Sequence, residues 1–232
     1  MAQLLLELAA PPQPTLDNFV AGAGGGNGAG GAAGAAGVNG AALAALRVFG
    51  TAASADRCLY LWGVRGSGRT HLLAAWRRLR EAGALLENDA GSGAWITQDD
   101  VETLDEAAQI DLFNRINAAR GGHGYVLAAG RSAPAQLPLR DDLKSRLAWG
   151  LTFEIIALSD EDKRAALLAH AASRSMTINA DVLAYLMTHV RRDMPTLAGI
   201  VDALDRFSLE TKRPVTLPLV RELLAQNRTL DL

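Results

Sequence analysis

The segment from Gly63 to Thr70 constrains the possible folds of this chain more than any other. It reads Gly-Val-Arg-Gly-Ser-Gly-Arg-Thr, which fits the pattern G-x-x-x-x-G-x-[ST]. It follows a continuous apolar run, 58–62, and opens a stretch with helical periodicity, 70–82. In this order of strand, loop and helix, backbone N–H groups surround a phosphate without help from any side chain. A glycine-rich turn without a ligand is the alternative interpretation.

Two side chains of this phosphate loop bear on chemistry. The Thr70 hydroxyl is placed to meet Mg²⁺, as the last position of the motif requires. Arg69 stands where the motif calls for lysine. Lysine ends in a compact point charge, whereas arginine is longer, planar and differently directed. The sequence therefore predicts phosphate binding more firmly than it predicts hydrolysis.

An acidic pair, Asp99 and Asp100, follows the next clear strand. In phosphate-loop proteins, a carboxylate at the carboxyl end of a neighbouring strand helps to hold Mg²⁺, and an adjacent acid can orient water. A helix cap or a turn is the alternative role, because aspartate is common in both. The position downstream of the phosphate loop favours the metal interpretation, with Asp99 near the ion and Asp100 near the water.

Strands and helices alternate between residues 41 and 157. The predicted strands are the apolar runs 58–62, 95–97, 125–129 and 151–156. The predicted helices are 41–49, 70–82 and 107–119. We expect the last helix to carry Ile110, Phe113 and Ile116 on one face. Alternation of this kind predicts an α/β fold with a parallel sheet.

No strand is predicted after residue 157, and four helix-start signals follow instead. These are Ser159, Asn179, Asp193 and Thr216. Ser159 begins a sequence that resembles a capping box. Pro195 and Pro218 fall in the first turns of the third and fourth helices, where a missing N–H is tolerated. We therefore predict an all-helical region at 158–232, appended to the α/β core.

Composition excludes several classes of protein. The 25 acidic and 23 basic residues give a net charge of −2, which offers no global electrostatic basis for coating nucleic acid. A single cysteine forms no internal disulfide, and 4 scattered histidines predict no structural zinc. No apolar run approaches about 18 residues, so no membrane span is expected. The run 4–8 is too short for a signal peptide and contains an acid, so we expect a cytoplasmic protein.

Glycine is concentrated in one part of the chain. Ten of the 23 glycines lie between residues 21 and 40, together with seven alanines. A chain of this composition does not recover its ordering entropy, so a flexible loop is predicted there. Before it, residues 1–20 hold a short apolar run and a proline-rich stretch that favours an extended tether.

Several further segments follow one another in a recognisable order. They are Phe19-Val20, the phosphate loop with His71-Leu72-Leu73, the acidic pair, 109–114, 134–139, 142–150, 204–206 and 215–218. Together they resemble the DnaA/Hda branch of the AAA+ ATPases over nearly the whole chain, and 143–150 is the most specific piece. The resemblance implies an AAA+ phosphate-loop NTPase core with a parallel sheet at 41–157 and a helical lid at 158–232.

The resemblance also implies an adenine nucleotide, ADP more than ATP, and Mg²⁺ as cofactors. The family's nucleotide contacts correspond to Phe19, Val20, Gly63, Arg65, Gly66, Ser67, Gly68, Arg69, Thr70, His71, Arg131 and Arg192. Arg131 is near the sensor-1 position. Pro195 takes the place of the second sensor arginine, and two outcomes are open: Arg191 or Arg192 substitutes for it, or the nucleotide loses that contact. The interval 82–95 is short for the family's usual strand and helix, so weak or absent autonomous ATP hydrolysis is expected.

Arg146 lies within the most specific of the matching segments, at the position of the family's arginine finger. Such a finger acts in trans, because the cation reaches the nucleotide of a neighbouring subunit and stabilises charge on the transferring phosphate. The alternative is an ordinary ion pair with a carboxylate on the protein's own surface. The match on both sides of Arg146 favours the finger.

The N-terminal residues Gln3, Leu4, Leu6 and Leu8 resemble the Q-L-x-L-x-L peptide that binds the sliding clamp, the β subunit of DNA polymerase III. In such a peptide the glutamine makes directional hydrogen bonds, while alternate leucines enter an apolar pocket. We therefore interpret 1–20 as a clamp-binding peptide with its tether and 21–40 as a flexible loop. An edge strand or a plain apolar tail is the alternative.

The function that the resemblance implies is negative regulation of the initiation of DNA replication. The protein would bind the DNA-loaded clamp, dock against ATP-bound DnaA and stimulate its ATP hydrolysis, which inactivates DnaA. DNA would be reached through the clamp, so a nucleoid-associated location in the cytoplasm is expected. No basic recognition helix follows the helical region before Leu232, so the DNA-binding domain of the initiators is not expected.

Two other functions stay open at this point. One is an autonomous AAA+ ATPase of the helicase-loader type, which predicts measurable turnover by the isolated protein. The other is an adaptor that binds the clamp and its partners without a nucleotide. A nucleotide titration separates these hypotheses from the first. Self-association is also left open by the sequence.

Overall fold

The structure, a computed structural model, describes residues 13–22, 37–83 and 95–226. These residues fall into two compact units, one within Pro14–Ala157 and one made of the helices that follow. Gln3, Leu4, Leu6 and Leu8, on which the clamp prediction rests, lie outside the described residues. Residues 23–36, most of the glycine-rich segment, lie outside them as well.

Among its described residues, the first unit alternates strands with helices. The strands are β1 (Cys58–Trp62), β2 (Trp95–Gln98), β3 (Tyr125–Gly130) and β4 (Leu151–Glu154). The helices are α1 (Gly40–Val48), α2 (Arg69–Glu81), α3 (Glu106–Arg120) and α4 (Asp141–Leu147). Short 3₁₀ turns at Val101–Thr103 and Pro134–Gln136 follow β2 and β3. The order is that of the predicted α/β fold, with α4 as an additional helix.

The strands of the sheet are all parallel and lie in the order β2-β3-β1-β4. β1 and β3 form the centre, where Leu59 pairs with Leu127 and Leu61 with Ala129. Nearly all of their residues are buried, which explains the unbroken apolar runs in the sequence. Because all strands point the same way, their carboxyl ends meet at one edge, where α/β proteins bind ligands.

Helices cover both faces of this sheet. On one face, Leu72 and Trp76 of α2 belong to one core with Leu59 and Leu61, and the Trp76 indole N–H donates a 3.0 Å hydrogen bond to the Phe49 carbonyl. The opposite face is covered by α3 and α4 through Leu112, Ile116, Ala119, Leu143 and Leu147. Full burial of one leucine contributes about 1.5–3 kcal/mol, so these two layers are the main source of the unit's stability.

β4 is shorter than predicted, because the side chain of Asn39 replaces a strand partner. The strand ends at Glu154. The buried Asn39 accepts a 2.8 Å hydrogen bond from the Ile156 N–H and donates one of 2.9 Å to the Ile156 carbonyl. One side-chain amide thus satisfies both backbone groups where the sheet stops.

The predicted face of α3 is only partly buried. Ile110 is 42% exposed, Phe113 is half-buried and Ile116 is buried. The inward face instead runs along Leu112, Ile116 and Ala119, which are spaced by four and three residues. Phe113 is therefore close enough to the surface to contact side chains of α4.

The second unit is helical in all of its described elements. Its helices are α5 (Asp160–Ala172), α6 (Ala180–His189), α7 (Met194–Thr211) and α8 (Leu217–Gln226), which share one apolar core. Ser159 and Asp162 form the predicted capping box, and Asp193 caps α7 through the Thr196 N–H. Asn179 occupies the N-cap of α6, but its side chain makes no capping hydrogen bond. No described helix in either unit is long and apolar enough to cross a membrane.

Candidate functional site

The phosphate loop joins the carboxyl end of β1 to the start of α2, at the ligand-binding edge of the sheet. Gly66 and Gly68 have φ values of +82° and +104°, which residues with a Cβ atom rarely adopt. Gly63 lies so close to the end of β4 that a Cβ atom would stand 2.2 Å from the Ile155 carbonyl oxygen. These glycines therefore fix the course of the loop.

Polar groups of the loop are available to a ligand. Gly68 is the N-cap of α2, and the Leu72 N–H donates the first helical hydrogen bond to its carbonyl, at 3.1 Å. The N–H groups of the preceding helical residues have no acceptor within the helix. Arg65 is exposed, and the buried Ser67 hydroxyl has no hydrogen-bond partner among the described residues. The positive end of the helix dipole adds to these donors, so the arrangement suits an anion.

Thr70 and Asp99, the predicted Mg²⁺ pair, are in direct contact. The Thr70 hydroxyl donates a 2.6 Å hydrogen bond to Asp99 Oδ2, just beyond β2. A hydroxyl and a carboxylate are oxygen donors of the kind that Mg²⁺ prefers, completed by phosphate oxygens and waters. Within 13–22, 37–83 and 95–226, no group of three or more His, Cys, Asp or Glu side chains could hold a metal. These two oxygen donors would therefore need further ligands, such as phosphate oxygens and waters, to complete the coordination of an Mg²⁺ ion.

Arg69 lies next to the second residue of the acidic pair. Its side chain is only 7% exposed, and its Nη2 atom is 3.5 Å from Asp100 Oδ1. Asp100 has a left-handed backbone with φ of +43°, and its N–H donates a 2.9 Å hydrogen bond to Asp99 Oδ1. The Nη1 atom of Arg69 is buried and has no hydrogen-bond partner among the described residues. Arg69 thus has one guanidinium nitrogen near a carboxylate and another with no hydrogen-bond partner among the described residues.

A segment from before the glycine-rich loop packs against the start of α2. The Phe19 ring fills the space beside Gly68, where a Cβ atom would be 2.7 Å from it, and its centroid is 5.8 Å from that of His71. The Nε2 atom of His71 is 3.0 Å from the Thr15 carbonyl, so this nitrogen carries a proton and donates it. Burial lowers the pKa of His71, and the Thr15 hydrogen bond opposes this only in part. Val20 follows and is half-buried.

Arg131, directly after β3, is held by Glu102. The Glu102 carboxylate accepts a 3.3 Å hydrogen bond from the Arg131 backbone N–H and lies 3.0 Å from its Nε atom. Nearby, the Tyr60 hydroxyl donates a 2.9 Å hydrogen bond to the Ser132 carbonyl. Burial first, and then the charge of Glu102, raise the pKa of Tyr60 above its ordinary value. The sequence prediction missed Glu102, although an acid three residues beyond Asp99 is a usable signal.

Arg146 lies in α4 and stacks on aromatic rings. Its Cζ atom is 4.0 Å from the Trp149 ring centroid and 5.4 Å from that of Phe113. Arg120, the last residue of α3, places its own Cζ atom 3.0 Å from the Trp149 centroid. In the described part of the chain, neither arginine has a carboxylate at ion-pair distance, so the expected alternative of a local ion pair is not seen. We call Arg120, Arg146 and Trp149 the Arg–Trp patch.

Arg192, the remaining predicted nucleotide contact, belongs to the helical unit. Its Nη1 atom is 3.3 Å from Asp160 Oδ2. The Nε atom of Arg191 is 3.3 Å from Asp193 Oδ2. Pro195 lies in the first turn of α7, as predicted. Both arginines near Pro195 therefore have carboxylate partners within their own unit.

Comparison with known proteins identifies the relationship. The family model described as Hda, lid domain, matches residues 160–224, which extend from α5 into α8. An uncharacterized protein from Haemophilus influenzae is 32% identical to the chain, over 71% of this chain and 80% of its own length. The chain belongs to the Hda-like, DnaA-homologous proteins. The resemblance drawn from the sequence is thereby confirmed.

Solved structures of DnaA share the architecture of this Hda-like protein. Domain III of the replication initiation protein DnaA from Thermotoga maritima has a TM-score of 0.61 at 18% identity, over 94% of this chain and 97% of that one. AMPPCP-bound DnaA from Aquifex aeolicus has a TM-score of 0.58 at 20% identity, over 88% and 71%. The predicted AAA+ core with a helical lid is confirmed. With the family match, the chain is a DnaA-related replication regulator.

Proposed function

We propose that this Hda-like protein holds an adenine nucleotide, docks against DnaA and stimulates hydrolysis of the ATP that DnaA holds. Arg146 acts as an arginine finger in trans, and the result is inactivation of DnaA and negative control of initiation. One observation carries the proposal. Arg146 is partly exposed, its guanidinium lies over the rings of Trp149 and Phe113, and it has no carboxylate partner within the described residues.

A cation that acts on another protein's nucleotide works best when its charge is not already compensated. An ion pair on its own surface would have to be broken first, at the expense of Coulombic energy. Stacking on aromatic rings restrains the guanidinium while leaving its charge and donors available. Arg140, at the N-cap of the same helix, shows the contrast, because its Nη2 atom lies 2.8 Å from Asp142 Oδ2.

The proposed nucleotide of this protein binds at the phosphate loop. The loop supplies backbone donors, the Ser67 hydroxyl and the unpaired Nη1 atom of Arg69. Thr70 and Asp99 supply oxygen atoms for Mg²⁺. Adenine is the proposed base because DnaA from Aquifex aeolicus, which has the same fold, is bound to AMPPCP.

Hydrolysis by the protein itself is proposed to be slow, with ADP as the nucleotide held. Asp100, the predicted water-orienting acid, lies 3.5 Å from the Arg69 guanidinium. A carboxylate held beside a guanidinium is oriented by that contact and is less available to position an attacking water. The Arg69–Asp100 contact therefore supports a nucleotide-holding site rather than an efficient ATPase.

The sliding clamp is the second proposed partner, and DNA is reached through it at the nucleoid. This proposal rests on the sequence Gln3, Leu4, Leu6 and Leu8, followed by a proline-rich tether within 1–20. In this proposal, 21–40 is the loop that connects the peptide to the nucleotide-binding core at 41–157, and 158–232 is the lid. Deletion of 1–8 should abolish clamp binding. An unchanged affinity for the loaded clamp in a pull-down would contradict the proposed clamp-binding role of this peptide.

The test of the function is the rate of ATP hydrolysis by DnaA in the presence of DNA-loaded clamp. The wild-type chain should accelerate the reaction, and Arg146→Ala should lower that acceleration by about 10³-fold or more, the range known for arginine fingers. Arg140→Ala is the matched control, because it removes an arginine from the same helix that already has a carboxylate partner. Equal rates for wild type and Arg146→Ala contradict the proposal.

A nucleotide-free adaptor is the second candidate, and one observation favours it. Thr70 is hydrogen-bonded to Asp99, and the Arg69 charge already faces the Asp100 carboxylate, without a ligand. Calorimetric titration of the full chain with ADP and Mg²⁺ separates the two functions. Binding supports the regulator with its own nucleotide, and absence of binding at millimolar ADP supports the adaptor.

A further inference from the structure

Two guanidinium groups share one indole ring on the surface of the first unit. Trp149, just beyond α4, is 48% exposed. The Cζ atoms of Arg120 and Arg146 lie 3.0 and 4.0 Å from its ring centroid. Arg120 and Phe113 are seven residues apart on α3, so they lie on the same helical face. This face brings Arg120 to the side of α4 that carries Arg146.

The charges in this Arg–Trp patch are unusual for the two helices that carry them. Arg115 on α3 pairs with Asp111, and Arg140 before α4 pairs with Asp142. In the described residues, Arg120 and Arg146 have no such partner. Like charges repel, and an indole face offsets only part of that repulsion. The patch is therefore an uncompensated pair of cations, to which an anion would bind favourably.

Among the described residues, no hydrogen bond fixes the direction of the Arg146 guanidinium. Its Nε atom is buried and has no hydrogen-bond partner among the described residues. The contacts that hold the guanidinium are the rings of Trp149 and Phe113. Of these, Trp149 is nearer, and it also holds Arg120. The indole thus sets the distance between the two cations.

We propose that the Arg–Trp patch is one phosphate-recognising unit, in which Trp149 positions Arg146 and Arg120 supplies a second cation. The ligand is the polyphosphate of a nucleotide held by the partner protein, since a guanidinium fork matches phosphate oxygens and a second cation nearby adds to the attraction of a polyanion. This inference rests on the proposed function, because it takes Arg146 as the finger. It adds that the finger depends on an aromatic support and on a neighbouring positive charge.

The experiment follows ATP hydrolysis by DnaA with loaded clamp, at increasing concentrations of the full chain. Trp149→Leu should lower the maximal stimulated rate by about two- to five-fold, the effect of losing an exposed cation–π contact. Trp149→Phe, which keeps an aromatic face, should recover most of the rate. A residue that only fills space would not distinguish leucine from phenylalanine in this way.

Arg120 is tested through salt dependence. Arg120→Gln should raise the half-saturating concentration by about two- to five-fold at low salt, and this difference should shrink as salt screens the charge. Arg115→Gln is the matched control, because it removes a paired charge from the same helix. It should leave both the half-saturating concentration and its salt dependence as in wild type.

The outcomes separate this inference from the proposed function. If wild type and Arg146→Ala stimulate equally, the proposed function fails. If Arg146→Ala is inactive while Trp149→Leu and Arg120→Gln both match wild type, Arg146 still acts as the finger. The proposal that the Arg–Trp patch is one phosphate-recognising unit is then overturned. Should Trp149→Leu fail to fold, Arg120→Gln decides alone, because an unchanged salt dependence in that exposed variant overturns the two-cation unit.

Discussion

The arginines at the phosphate loop and those of the Arg–Trp patch have opposite surroundings. At the loop, Arg69 is buried beside Asp100, and the neighbouring Arg131 forms an ion pair with Glu102. At the patch, Arg120 and Arg146 have an aromatic ring but, in the described residues, no carboxylate. Arg69 of the loop and Arg131 beside it thus have carboxylate partners within the protein, whereas the two arginines of the patch have none among the described residues.

This difference teaches how one AAA+ fold can separate binding from catalysis. At the loop, the Arg69 guanidinium and the Asp100 carboxylate face each other, an arrangement that suits retention of a nucleotide more than its hydrolysis. A surface cation with only aromatic support suits action on a second protein. On this account, the protein's own nucleotide is structural or regulatory, and the chemistry takes place at the nucleotide of DnaA. Three changes to the loop region, taken in order of expected effect, can break or sharpen the comparison.

The largest effect is expected from Gly63→Ala. A Cβ atom there would stand 2.2 Å from the Ile155 carbonyl oxygen, so β1 and β4 must move apart. We expect a loss of about 3 kcal/mol in the free energy of unfolding, measured by urea denaturation. Gly66→Ala meets no atom within 4 Å and carries only the penalty of φ at +82°, so about 1–2 kcal/mol is expected. Equal losses for the two variants would show that packing does not fix the loop.

Asp100→Asn removes the carboxylate that lies beside the Arg69 guanidinium. Without that negative charge, the guanidinium would be free to act on the phosphates of the proposed nucleotide. We expect tighter binding of ADP by about tenfold, corresponding to about 1.4 kcal/mol, in a calorimetric titration. Asp111→Asn, which removes a carboxylate from a surface pair on α3, should leave ADP affinity unchanged. Weaker binding by Asp100→Asn would mean that the acid helps to hold the nucleotide.

The smallest effect concerns the attachment of Phe19 and its segment through His71. Burial lowers the folded-state pKa of His71 below the ordinary value of 6.5. Below that pH the unfolded chain therefore binds more protons, so the stability that His71 contributes is present above about pH 6.5 and is lost as the pH falls. Wild type should lose more unfolding free energy than His71→Gln between about pH 7.5 and about pH 5.5.

The control for this titration is His123→Gln, since His123 is exposed after α3. It should lose stability on acidification as wild type does. If His71→Gln follows the same course as wild type, the buried imidazole does not couple pH to the attachment of the N-terminal segment.

Local patterns predicted much of the fold. The unbroken apolar runs indicate β1 and β3 because both faces of these strands are buried, and the capping box indicates α5. The sequence pattern does not indicate α4, because this helix has only seven residues, five of them polar or charged. The early end of β4 depends on Asn39, which is 117 positions away from Ile156. No local periodicity contains such a pair.

Local sequence patterns likewise indicate some features of the candidate site and not others. The phosphate loop and Thr70 with Asp99 follow from a motif and from the carboxyl ends of parallel strands. The contact between Arg69 and Asp100 does not, because the two residues are brought together only by the sheet. Arg120 is the last residue of α3 and Trp149 follows the end of α4, so their stacking depends on how α3 packs on α4.

The most direct test of the account is a single-turnover measurement on labelled ATP already bound to DnaA. Only hydrolysis at the partner's nucleotide releases the label, so the protein's own loop does not contribute to the signal. With loaded clamp, the wild-type chain should release labelled phosphate quickly, while Arg146→Ala should leave the slow intrinsic rate of DnaA, about 10³-fold lower or more. Release at the same rate with wild type and Arg146→Ala would contradict the account.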